Sequence, residues 1–176
     1  MRYYNSTASL LPYTVTNLPT WQFGEYWRSN FDYRLFVISG SSYATAAVSL
    51  PDGSLQYFNA AGKPVLNYTN ADESLQTISG GYIYQAENRQ YTFDTTGKLT
   101  SIGLIGGVTR TLTYSDGTTG SNGGYVLLAD GSASATTLPA GLLIRVTDSF
   151  GRTLSFGYDA TNRVVKLIDS QNQIVL

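Results

Sequence analysis

A six-residue pattern recurs along the chain and limits what it can fold into: an aromatic, Asp or Asn, two variable residues, Gly or Asn, then Lys or Arg. Phe58-Asn59-Ala60-Ala61-Gly62-Lys63, Phe93-Asp94-Thr95-Thr96-Gly97-Lys98 and Tyr158-Asp159-Ala160-Thr161-Asn162-Arg163 superpose without a gap. Thr147-Asp148-Ser149-Phe150-Gly151-Arg152 matches at every position but the aromatic. The spacing is that of a turn. Asp or Asn at its first position accepts a hydrogen bond from the backbone two residues on, and the two middle residues take the right-handed conformations of a type I turn. The fourth position then needs a positive φ, and Gly or Asn enters that region at least cost. A type I turn followed by such a residue closes a β-hairpin with a bulge. Asn59, Gly62, Asp94, Gly97, Asp148, Gly151, Asp159 and Asn162 are therefore expected to be the structural residues of hairpin tips.

The flanks agree. In Leu154-Ser155-Phe156-Gly157-Tyr158 the large residues alternate, as do Val108, Arg110, Leu112 and Tyr114 against Thr109, Thr111 and Thr113. Period two marks strands with one buried face. Asp-Gly pairs at Asp52, Asp116 and Asp130 add turn signals between apolar segments, and Asn122-Gly123-Gly124 and Leu138-Pro139-Ala140-Gly141 read as loops. Counting alternating runs between turn signals predicts about a dozen short strands. The Ala-, Glu- and Lys-rich runs that fill helices are missing, so the fold class expected is all-β, an antiparallel ribbon of hairpins with no significant helix. The copies lie at irregular intervals, which rules out a strict solenoid, and each hairpin buries its face by lying beside the next.

Several function classes are disfavoured. Net charge is −1, which gives no field to draw in nucleic acid or an anionic membrane. The chain has no Cys and no His, which removes disulfides, thiolate or imidazole metal ligation, and imidazole-based nucleophilic triads. No apolar run approaches the roughly 20 residues of a spanning helix, and Met1 leads into Arg2-Tyr3-Tyr4-Asn5 with no apolar signal-peptide core. Sequons at Asn5 and Asn67 are of a kind that a Ser/Thr-rich chain produces by chance.

Most Asp residues already have a turn to make, leaving Asp32, Asp72, Asp169, Glu25, Glu73 and Glu87 as candidate carboxylates. Asp72 and Glu73 are adjacent, so on a strand they face opposite sides rather than forming an acid-base pair. Gly103-Leu104-Ile105-Gly106-Gly107 and Gly120-Ser121-Asn122-Gly123-Gly124 lack the Lys and the strand-to-helix setting of phosphate loops. No catalytic, cofactor or metal residue is expected.

Aromatic residues crowd the first forty positions. Trp21, Tyr26, Trp27 and Tyr33 are candidates either for capping the open end of a sheet or for a surface that binds glycan or protein. At the other end, Ile174, Val175 and Leu176 read as a strand edge able to pair with another strand, from the same longer chain or from a second copy.

The segment Tyr158-Asp159-Ala160-Thr161-Asn162-Arg163-Val164-Val165-Lys166-Leu167-Ile168-Asp169 resembles the tyrosine-aspartate (YD) repeat of bacterial Rhs proteins and of the teneurins. Asp148-Ser149-Phe150-Gly151-Arg152 is similar to the stretch that leads into such a repeat. Arg2-Tyr3-Tyr4-Asn5-Ser6, followed by Phe23-Gly24-Glu25-Tyr26-Trp27-Arg28-Ser29-Asn30-Phe31-Asp32-Tyr33-Arg34-Leu35, looks like the N-terminal region that precedes the repeats in Rhs proteins, and Leu50-Pro51-Asp52-Gly53-Ser54-Leu55-Gln56-Tyr57-Phe58 resembles the next hairpin of that region. On this resemblance residues 1–50 are an aromatic-rich leading region and 51–176 the YD-like hairpins. It implies a segment of a spiralling β-sheet shell, a structural module of a secreted or cell-surface protein associated with toxin encapsulation or delivery. The implied partners are the chain itself and a toxin domain enclosed by a longer chain, with no nucleic acid and no membrane insertion. The family's downstream self-cleavage region has no counterpart here, so none of its catalytic carboxylates is carried over. The alternative is an adhesin working through the N-terminal aromatic cluster.

Overall fold

The computed structural model describes residues 2–3, 27–65, 72–104 and 106–175. The chain is all-β, with fifteen strands and no helix among the described residues. It divides into two compact units, Met1–Gly107 and Val108–Leu176.

In the first unit, β1 (Arg2–Tyr3) pairs with β2 (Trp27–Arg28), antiparallel, with Tyr3 opposite Trp27. A three-stranded sheet follows, β3 (Arg34–Val37), β4 (Ala46–Ser49) and β5 (Leu55–Phe58), in sequence order. The second layer is a meander of β6 (Ser74–Ile78), β7 (Gly81–Ala86), β8 (Arg89–Asp94) and β9 (Leu99–Leu104). All pairings within both sheets are antiparallel. The central strand β4 is buried along its whole length. Its small Ala46 and Ala47 are buried, and Val48 is fully enclosed.

Rings join the layers. Phe58 of β5 meets Tyr84 of β7 edge-on with centroids 5.6 Å apart, and Tyr84 stacks on Tyr91 of β8 at 5.5 Å. Such pairs add to the free energy of burying large apolar surface. Phe58, Tyr84, Phe93 and Leu99 are each 2% exposed or less. At the entrance to β3, the buried carboxylate of Asp32 accepts the Ser29 backbone N–H, close to the buried Arg28 guanidinium. Burial raises the Asp32 pKa, opposed by the Ser29 hydrogen bonds and the Arg28 charge. Arg28 in turn donates to the Ser49 hydroxyl (3.2 Å) and the Leu50 carbonyl (3.1 Å), fixing the β2 end against β4.

The second unit pairs β10 (Thr109–Tyr114), β13 (Leu143–Asp148), β14 (Thr153–Tyr158) and β15 (Val164–Asp169) in that order. Between β10 and β13 the chain makes an excursion through the small hairpin β11 (Tyr125–Leu127) and β12 (Ala133–Thr137). The neck of that excursion is closed by Ser115. Its hydroxyl donates to the Pro139 carbonyl (2.5 Å) and accepts the Leu142 N–H (2.9 Å), while its backbone N–H donates to the Leu142 carbonyl (2.7 Å). Leu127 lies over Gly157 of β14, where an added Cβ would come within 2.5 Å of its Cδ1. Leu112, Leu143, Val146, Phe156 and Tyr158 form the core, and the Tyr158 hydroxyl donates to the Leu143 carbonyl at 2.6 Å. The alternation expected for residues 154–158 is present, with Phe156 and Tyr158 buried. Only Leu112 of the alternating 108–114 stretch is fully enclosed, because β10 begins at an exposed end.

Candidate functional site

The repeated hexads are hairpin tips with one shared geometry. At Asp94 the backbone N–H donates to the Lys98 carbonyl (2.9 Å) and the Gly97 N–H returns to the Asp94 carbonyl (3.0 Å). The Asp94 carboxylate accepts the N–H groups of Thr96 (2.9 Å) and Lys98 (3.0 Å). Asn59, Asp148 and Asp159 repeat all four bonds, with Gly62, Gly97, Gly151 and Asn162 at φ of 69, 78, 81 and 61°. Where the last residue is Arg, its guanidinium also returns to the carboxylate, at 2.7 Å for Arg152 and 3.0 Å for Arg163. Both pairs are exposed and add little on their own.

A fifth tip escapes the hexad pattern. Asp169 accepts the Gln171 (2.9 Å) and Gln173 (2.8 Å) N–H groups, and Asn172 sits at a φ of 60°. Sequence reasoning leaves Asp169 among the spare carboxylates because Ile168 precedes it instead of an aromatic and Gln173 stands in the basic position. The Asx-to-Asn spacing was the remaining signal.

The tips differ in what they touch. Gly62 and Gly97 are docked on strand edges. The Leu75 N–H of β6 donates to the Gly62 carbonyl and the Leu35 N–H of β3 donates to the Gly97 carbonyl, both at 2.9 Å. The partner leucine's carbonyl oxygen lies 1.8 Å from where a Gly62 Cβ would be, and 2.0 Å at Gly97. Gly is therefore required there twice, for its φ and for the closeness of the neighbouring backbone. At Gly151 nothing lies within 4 Å of that position, and at Asn162 a side chain is present. In the two docked hairpins the tip caps an otherwise open strand edge, a recognised way of protecting it.

At Asp94, Asp148 and Asp159 burial acts to raise the carboxyl pKa, but the converging hydrogen-bond donors outweigh it. Each pKa is lowered, that of Asp159 to about 2. A carboxylate whose pKa falls on folding stabilises the fold above its unfolded pKa, and that contribution is lost as pH drops through the folded value. The thermal midpoint is thus expected to decline between pH 3.8, the ordinary Asp value, and about 2. In the triple variant Asp94→Asn, Asp148→Asn, Asp159→Asn the decline is shallower, since the amide oxygen of Asn59 already makes the same two turn bonds without titrating. Thermal melts of both proteins across that range check this, and identical acid slopes would count against it.

The other sequence candidates are placed as follows. Trp21, Tyr26 and Leu176 lie outside the described residues. Trp27 contributes its backbone to β2. Tyr33 is half-buried in the first unit, its ring 4.3 Å from that of Tyr91 and its hydroxyl donating to the Tyr91 hydroxyl at 3.0 Å. Burial pushes the Tyr33 hydroxyl pKa well above the usual tyrosine value. Ile174 and Val175 follow the fifth tip back along β15, through an Ile168–Ile174 bridge and a Val175 N–H donated to the Leu167 carbonyl (2.8 Å). They are 66% and 62% exposed. Asp72 is exposed, whereas Glu73 is half-buried and hydrogen-bonded to Tyr84, with its pKa raised chiefly by burial. Glu87 occupies the β7–β8 turn with a φ of 54°. Among the described residues no group of three or more acidic side chains is arranged to hold a metal ion, and no helix is long and apolar enough to cross a membrane.

No curated protein matches the chain. Residues 139–174 match the family model described as RHS Repeat, a segment that holds β13, β14, β15 and the tips at Asp148, Asp159 and Asp169. That segment, with its buried Tyr158 followed by the Asp159 turn, is similar to an Rhs-type (YD) repeat.

Proposed function

We propose that the chain is a structural module that extends a β-sheet by strand pairing, in a secreted or cell-surface protein of Rhs type. In a longer chain it forms part of the wall that encloses a toxin domain. The observation that carries this reading is the fifth tip. It turns the chain after β15 and starts a new antiparallel rung, with Val175 bonded to Leu167 and its side chain exposed. A sheet whose outermost rung is exposed and apolar is a template for a further strand. That strand is supplied by further hairpins of the same protein or by a second copy.

The test is the solution mass of this chain by light scattering across a concentration series, beside a Val175→Pro variant. Proline removes the N–H that closes the rung. The parent is expected to grow in mass with concentration and the variant to remain small at an unchanged melting temperature. Equal masses at every concentration would refute extension at this edge.

A further inference from the structure

Strand β6 borders a cleft of about 560 Å³ in the first unit, lined also by the tip 59–63 and by Val37, Thr45 and Ala46. The strand is outermost in its meander. One rung of its free edge, at Leu75, is filled by the docked tip through the Leu75 to Gly62 hydrogen bond (2.9 Å). Backbone groups alternate sides along a strand, so Thr77, two residues on, presents its N–H and C=O to the same edge. No described residue pairs with Thr77 there. Thr77 itself lines the cleft and is exposed.

The walls add two requirements. Val37, 65% exposed, offers an apolar contact. Among the described residues Lys63 is the only charged side chain lining the cleft, and no carboxylate forms an ion pair with it. An open strand edge accepts an extended backbone, the lysine selects a carboxylate, and the volume lies within the usual range for small-ligand sites. We propose that this cleft binds an extended peptide of a partner protein, adding as a short strand beside Thr77, with an acidic side chain on Lys63 and an apolar one on Val37. The site is separate from the edge at Ile174 and Val175, and neither depends on the other.

The experiment titrates the isotope-labelled chain with acetyl-Thr-Val-Glu-Val-Thr-amide and with the same peptide carrying Lys in place of Glu, following backbone amide resonances. The acidic peptide is expected to shift the Thr77 and Lys63 signals in a saturable way and to bind about fivefold more tightly than the basic one, the scale of one partly exposed charge pair. Lys63→Glu, a change on an exposed side chain, is expected to reverse that preference. Thr77→Pro, which removes the edge donor, is expected to weaken both peptides alike. Absence of Thr77 shifts at millimolar peptide would overturn the proposal, as would equal affinity for the two peptides or a preference unchanged by Lys63→Glu.

Discussion

Gly97→Asn is expected to destabilise the first unit by about 3 kcal/mol, while Gly151→Asn shifts the second by no more than about 0.5 kcal/mol, although both glycines occupy the fourth position of the same turn. Asn isolates the cause. Asn162 and Asn172 hold the corresponding position in their own tips at φ near 60°, so the substitution keeps the backbone conformation available. What remains at Gly97 is the clash of a new Cβ with the Leu35 carbonyl, 2.0 Å away. Both atoms belong to tightly placed backbone, and no rotamer change relieves the overlap. The tip must lift off β3, giving up the Leu35 to Gly97 bond (2.9 Å) and the Arg34 side-chain bond to the Thr96 carbonyl (3.0 Å). Overpacking typically costs about 1–3 kcal/mol, and an unpaired buried backbone donor costs a similar amount. Gly62→Asn belongs with Gly97→Asn, because the Leu75 carbonyl lies 1.8 Å from its Cβ position. Urea unfolding of the three variants decides the matter: comparable losses at all three positions would mean that φ alone sets the requirement and that docking contributes nothing.

This contrast marks the limit of what the sequence reveals. The turns are legible because an Asx side chain, a two-residue step and a left-handed residue interact only with one another, within five positions. Whether a tip is docked depends on a leucine 13 residues away for Gly62 and 62 away for Gly97, so the sequence presents both glycines as ordinary turn residues. The same locality explains two turns that escape a reading of the sequence. Glu87 carries no turn chemistry of its own, and its left-handed φ follows from the Ala86–Arg89 pairing of the strands on either side. Asp169 keeps the turn but loses the aromatic that made the other copies conspicuous. Tyr33, grouped by sequence with a possible binding cluster, makes its contact with Tyr91, 58 positions on.

The aromatic before the Asx has a separate physical role, and removing it is expected to cost more than any single turn bond. Phe58, Phe93 and Tyr158 are 0%, 1% and 0% exposed, each immediately before the residue that opens its tip. Truncating a ring of this size in a packed core typically costs about 3–5 kcal/mol, through lost transfer free energy and the cavity left behind. Phe58→Ala also leaves Tyr84 without its edge-on partner, and Tyr158→Ala removes the hydroxyl bonded to the Leu143 carbonyl at 2.6 Å. Tyr158→Phe separates those two contributions. It retains the ring and is expected to cost about 1 kcal/mol, the usual net value of one such hydrogen bond. Ile168→Ala, at the half-exposed position preceding the fifth tip, is expected to cost less than any of the three ring deletions. Equilibrium unfolding of these variants tests the order. If Ile168→Ala matched Tyr158→Ala, the aromatic would be no more than a spacer before the turn. If the order holds, each hexad joins a core anchor to a chain reversal, and an added hairpin brings with it the ring that fixes it to the sheet.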